Sequence, residues 1–168
     1  MLAIIIMIIS LLLDGLISNY LPYLVNDLSL FTPLFTLISI FIIYPFYRKK
    51  EKRYFIHIFI LGIIYDLLYT NLLFFTGVLF IIIGLVVKFI VENYELGFIK
   101  ILIYMIIIIV LYESITVLFL GIYNIVPVSF NKLIYKISHS LIINLIYGEL
   151  LFIIIKLIPK RLKEISIN

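Results

Sequence analysis

Apolar residues run along this chain in long unbroken stretches, and short polar clusters divide them. A helix needs about 20 such residues to cross the roughly 30 Å hydrocarbon core of a bilayer, with about 17–25 tolerated. On that ruler the pattern predicts six transmembrane helices in one domain, at 2–18, 30–47, 54–70, 74–91, 98–120 and 140–158. Pro33 falls in the first turn of the second, where a missing N–H costs little. Residues 54–91 are too long for one crossing, so the chain is expected to fold back at Thr70–Asn71 or at Thr76–Gly77. Pro159 closes the sixth span. The segment 121–139 carries Pro127 and an amphipathic run (Val126, Val128, Phe130, Leu133, Ile134), which reads as a short interfacial helix. Strands are excluded: the runs do not alternate, and lipid satisfies no exposed backbone group. No internal repeat stands out.

Composition points the same way. The 168 residues are 65% hydrophobic and 13% charged, with a mean hydropathy of +1.32, whereas soluble domains run about 45–50% apolar and about 25% charged. A chain this short could not hide that much apolar surface from water. There is no cysteine, which excludes disulfides, thiolate nucleophiles and Cys-ligated metals. No basic region precedes the first apolar run and no small-residue cleavage site follows it, so it is expected to stay as a permanent span.

The distribution of charge orients the helices. Six spans collect Arg48, Lys49, Lys50, Lys52, Arg53, Lys88, Lys100, Lys156, Lys160, Arg161 and Lys163 on one side and leave Lys132 and Lys136 on the other. By the positive-inside rule both termini are expected to be cytoplasmic. The 48–53 cluster suffices as a topology determinant, and it could also attract anionic lipid at about 1 kcal/mol per basic residue.

Four carboxylates fall within or at the edges of the spans: Asp14, Asp66, Glu113 and Glu149. Acids at membrane depth are costly and usually face a bundle interior, a partner or a cavity. Gly62 and Asp66, four apart, share a helical face, a combination suited to close helix packing around a hydrogen-bonded carboxylate. Asp66 reads either as a ligand or partner contact, or as a carboxylate hydrogen-bonded to a neighbouring helix near the outer interface. Glu113 and Glu149 lean to the structural reading, and Asp14 can simply be wet. His57 and His139 have no neighbours at metal spacing, so no metal is expected. No G-x-S-x-G, H-E-x-x-H or P-loop occurs, and no nucleophile–base pair is recognisable; neither an enzyme nor a cofactor is expected, nor a nucleic-acid partner.

The stretch from Gly62 to Phe75, Gly62-Ile63-Ile64-Tyr65-Asp66-Leu67-Leu68-Tyr69-Thr70-Asn71-Leu72-Leu73-Phe74-Phe75, resembles the signature region of the MreD family of rod-shape-determining membrane proteins. Those chains are small and very hydrophobic, with a G-x-x-x-D-L-L segment near mid-chain and another span after it, here Gly77 to Val91. The chain length, Asp14 late in the first span, Pro33 opening the second and cytoplasmic termini are similar too. The resemblance is best over 30–91 and weak after 100. Many members have a glycine about eight residues after the aspartate, where this chain has Phe74; Gly77 comes three later.

The resemblance implies a non-enzymatic scaffold in the bacterial inner membrane, within the cell-elongation machinery that makes peptidoglycan. Its implied partners are MreC, the MreB filament, the glycan polymerase RodA and its transpeptidase partner. The implied fold is similar to the substrate-binding subunits of energy-coupling-factor vitamin transporters, a bundle of six helices whose lateral face docks a partner's transmembrane helix. Gly62, Asp66, Asn71, Gly77 and Gly84 are the candidates for close helix contacts, and Asp14, Glu113 and Glu149 are left without an assigned role. A vitamin-uptake subunit is the alternative, but such subunits usually carry an A-x-x-x-A patch on the first helix, and Ala3 is the one alanine here. A lipid-metabolising enzyme would instead use Asp66 or Glu113 as a base.

Overall fold

A computed structural model describes residues 2–20, 32–70, 72–94, 97–124 and 130–158. They form six α-helices: α1 (Leu2–Tyr20), α2 (Phe35–Ile43), α3 (Glu51–Tyr69), α4 (Phe75–Asn93), α5 (Phe98–Ile122) and α6 (Phe130–Leu157). No strand occurs among the described residues. Leu2–Tyr20, Phe75–Asn93, Phe98–Ile122 and Leu133–Leu157 are each long and apolar enough to cross a membrane. Large apolar side chains stand exposed along the outer faces of the helices, among them Ile8 and Leu12 on α1, Leu85 and Phe89 on α4, and Ile146 and Leu150 on α6. Contiguous apolar surface of that kind needs a nonaqueous neighbour. The protein is a helical membrane protein.

α2 is the centre of the bundle. Every residue from Phe35 to Ile43 is buried, as expected for a helix that is apolar all round. It is short because Pro45 lacks an N–H and its ring crowds the carbonyl four residues earlier; the chain passes into a 3-10 turn over Tyr44–Tyr47. Around α2, the tightest pairings are α3 with α4 and α5 with α6.

Glycine sets the α3–α4 distance. A β-carbon on Gly62 would lie 2.4 Å from the Gly77 Cα, and one on Gly84 would lie 2.5 Å from the Ile58 Cδ1. Gly148 plays the same part between α6 and its neighbours, with Met105 and Ile38 against it.

Odd-numbered helices run away from the end that carries Arg48–Arg53, and even-numbered ones return. At that basic end Glu51 pairs with Lys88 of α4, Tyr44 donates to the Glu92 Oε1 at 2.8 Å, and Arg48 donates to the Val91 carbonyl at 3.2 Å. The last contact puts a cation on the C-terminal turn of α4, where the helix dipole favours it. Tyr54, fully buried, packs edge-on against Tyr44 at 4.9 Å and donates to the Ile40 carbonyl at 3.2 Å.

The helices depart from the expected spans in two places. α2 begins at Phe35, so Pro33 precedes the helix instead of occupying its first turn; side chains from other helices, described below, supply the start. α6 begins at Phe130 rather than at 140 and runs unbroken to Leu157, so Phe130, Leu133 and Ile134 belong to it and not to a separate interfacial helix. Polar residues such as Lys136 and Ser138 lower hydropathy without opposing helix formation. Thr70 is the C-cap of α3 and the next helix begins at Phe75, so the chain folds back between them. Asn71, Val126, Pro127, Val128 and residues 159–168 lie outside the described residues.

Candidate functional site

Three of the four acidic residues singled out in the sequence, Asp14, Asp66 and Glu113, lie toward the end of the bundle away from the basic loop. Asp14, late in α1, is buried, and its two oxygens accept the first N–H groups of α2: Phe35 N–H to Oδ1 at 2.7 Å and Thr36 N–H to Oδ2 at 2.9 Å. The opening N–H groups of a helix have no partner within it, and α2 has no local side-chain cap. Asp14 supplies that cap from another helix.

Asn144 of α6 completes the same helix end. Its Oδ1 accepts the Leu34 N–H at 2.7 Å, and its Nδ2 donates to the Thr32 carbonyl at 2.7 Å and to the Ser140 carbonyl. The start of α2 is thus held by α1 and α6 together.

Asp66, fully buried near the end of α3, repeats the device on α4. Its Oδ2 accepts the Thr76 N–H at 2.9 Å, and the Thr70 hydroxyl donates to its Oδ1 at 2.9 Å. The turn between them places Phe74 at φ 67°, a left-handed conformation. Glycine adopts that conformation without strain and a side chain does not.

The sequences around the two aspartates also match. Asp14-Gly15-Leu16-Ile17-Ser18-Asn19 and Asp66-Leu67-Leu68-Tyr69-Thr70-Asn71 share the pattern D-x-L-x-[ST]-N. The first two hairpins are therefore variations on one unit: an acid late in the outgoing helix, capping the returning one.

Glu113 holds the corresponding place in α5. It is buried, and its Oε2 lies 3.9 Å from the Lys136 Nζ of α6. Here an ion pair joins the two helices. Tyr65 and Tyr112 lie within electrostatic reach of both Asp14 and Glu113. Gly15 belongs to the same end: the Tyr69 hydroxyl occupies the space its side chain would take and donates to the Leu11 carbonyl at 2.9 Å.

Glu149 stands apart. Both its carboxylate oxygens are covered, and neither has a hydrogen-bond partner among the described residues.

Gly62 and Gly77 meet, and Gly84 meets Ile58, Phe55 and Tyr54; these contacts lie within the chain, between α3 and α4. His57 is engaged by the Tyr47 hydroxyl at 2.7 Å, and His139 sits 2.7 Å from the Tyr135 carbonyl through Nδ1. No three His, Asp or Glu side chains converge closely enough to hold a metal ion among the described residues. Sequence reasoning missed Asn144, Thr76 and Gly148. Asn144 had a legible signal as an amide within the apolar run Leu141–Tyr147; Thr76 acts through its backbone, which no side chain advertises.

No protein-family profile, curated protein or solved structure matches the chain.

Proposed function

We propose that this chain is a non-enzymatic scaffold of the bacterial cell-elongation machinery, similar to the MreD family. On this reading it crosses the inner membrane six times, with both termini in the cytoplasm, and binds the transmembrane helices of partners such as MreC on its lateral face. The fold would then be akin to that of the vitamin-binding subunits of energy-coupling-factor transporters, without their ligand.

The observation that carries the reading is where the interior polar groups point. Asp14, Asp66 and Asn144 are all directed at backbone N–H groups of the chain's own helices. Carboxylates so held position helices and are poorly placed to turn over a substrate. What remains for recognition is the apolar outer face of the bundle, where association rests on packing and on occasional interhelical hydrogen bonds.

The test is a mild-detergent pull-down of the tagged protein from its own cells, analysed for proteins and for small molecules. Recovery of MreC or the elongation synthases without a stoichiometric ligand supports the scaffold. Recovery of transporter ATPase subunits, or of a bound vitamin, overturns it in favour of an uptake subunit. A lipid-modifying activity abolished in Asp66→Asn, with the fold intact, would overturn it in favour of an enzyme.

A further inference from the structure

A cleft opens in the lateral surface at the basic end of the bundle. α2 stops at Ile43 and its chain tightens at Pro45, while α5 and α6 continue alongside. The gap is bounded by Pro45 and Phe46 below α2, Ile101 on α5, and Phe152 on α6, with Lys156 at its rim. Its volume is about 230 Å³. A dry cavity of about 150 Å³ accepts benzene, so the space admits a length of hydrocarbon.

Lys156 is exposed and has no ion pair or hydrogen bond among the described residues. It lies in the last turn of α6, where a cation is favourable to the helix dipole, and on the same end of the bundle as Arg48–Arg53. An unpaired cation above an apolar slot that faces lipid calls for a ligand with an anionic head and an alkyl tail. A free phosphate would have no use for the apolar walls. A transmembrane helix of ordinary composition would leave the ammonium without a counter-ion.

We propose that this cleft is a binding site for an anionic glycerophospholipid, one acyl chain lying against Phe46, Ile101 and Phe152 and the phosphate meeting Lys156. Hydrocarbon leaves one apolar surroundings for another, so the tail contributes fit and the headgroup contributes selection. One basic residue near an anionic surface contributes about 1 kcal/mol, so the site should prefer an anionic lipid over a zwitterionic one roughly fivefold. The inference stands apart from the scaffold reading and would hold for a transporter subunit equally.

The chain contains no tryptophan, so one introduced indole is a local reporter. The full-length protein carrying Phe152→Trp is reconstituted in phosphatidylcholine vesicles, and brominated phosphatidylglycerol or brominated phosphatidylcholine is titrated in as quencher. The expected result is half-quenching at a severalfold lower fraction of the phosphatidylglycerol. That preference should disappear with Lys156→Gln and survive with Lys156→Arg. Ile142→Trp, toward the opposite end of α6 and 60% exposed, should show no comparable preference. Phe46→Trp serves as the reporter if Phe152→Trp does not fold. Equal quenching by the two lipids, a preference that outlives Lys156→Gln, or the same preference at position 142 would each overturn the site. So would a folded reporter that neither lipid quenches, which would mean that protein covers the cleft.

Discussion

The Cα of Gly77 lies where the side chain of Gly62 would begin: a β-carbon there would be 2.4 Å from it and 2.6 Å from the Gly77 nitrogen. Both obstacles are backbone, so neither can move aside without separating α3 from α4. Gly62→Ala should therefore lower stability by about 3 kcal/mol, the upper part of the range for overpacking. At Gly84 the first obstacle is the Ile58 Cδ1, the end of a flexible side chain, and Gly84→Ala should cost only about 1 kcal/mol. Thermal unfolding in mild detergent checks the order; equal losses would contradict it.

The two capping aspartates should respond differently to loss of charge. Asp66 accepts one backbone N–H and one hydroxyl, and an asparagine can accept the first and donate to the second. Asp14 accepts two backbone N–H groups, of which an asparagine can serve only one. Asp14→Asn should thus be the more destabilising, by about 1–3 kcal/mol, the penalty for a buried unsatisfied donor. Asp66→Asn should lie within about 1 kcal/mol of the parent. Asp66→Leu, which strands the Thr76 N–H, should rejoin the larger class. Denaturation midpoints of the three variants decide the matter.

Phe74 is held at φ 67° and is 55% exposed. Left-handed conformation costs a side-chain-bearing residue about 1–2 kcal/mol, and an exposed ring returns little of that. Phe74→Gly should accordingly stabilise the α3–α4 hairpin by up to about 1 kcal/mol, less the extra freedom that glycine has when unfolded. Asn124, at φ 56°, is a residue that tolerates this region, and Asn124→Gly should change little. A fall in melting temperature for Phe74→Gly would show that the ring's contacts outweigh the strain.

Glu149 presents two covered oxygens with no partner among the described residues. Removing an unsatisfied buried polar group while keeping its volume is favourable. Glu149→Leu should raise stability by about 1–3 kcal/mol when the isolated protein is measured in detergent. A loss of stability would mean that the carboxyl is bonded after all.

Much of this arrangement was legible before any coordinates. Long apolar runs report hydrocarbon, and Asp66 and Glu113 read as carboxylates held between helices; Asp14, which near a helix end can be wet, is instead buried because the first N–H groups of α2 need an acceptor. What escaped notice has physical reasons. The partners of Asp14 and Asp66 are backbone N–H groups, which every residue but proline owns, so no spacing rule identifies them. α6 starts ten residues before the expected span because hydropathy measures compatibility with lipid, not helicity, and its first turns carry Lys136, Ser138 and His139. A proline is permissible in a helix's first turn, so the sequence alone puts Pro33 inside α2; the caps from Asp14 and Asn144 fix the start two residues later. The shared D-x-L-x-[ST]-N pattern is too short to stand out in the sequence alone, and the common capping role of its two aspartates is what gives it meaning.

The capping contacts impose an order on how the chain can be completed during synthesis. Asp66 and Thr76 are ten residues apart, so the second hairpin can close its own hinge as soon as it leaves the ribosome. The first hairpin can do so only in part: Asp14 caps Phe35 and Thr36, but the Leu34 N–H waits for Asn144, which follows it by 110 residues. Until α6 arrives, the central helix of the bundle is only partly capped. A late helix locks an early one, and a chain truncated before α6 would lack that closure however well the five helices before it insert.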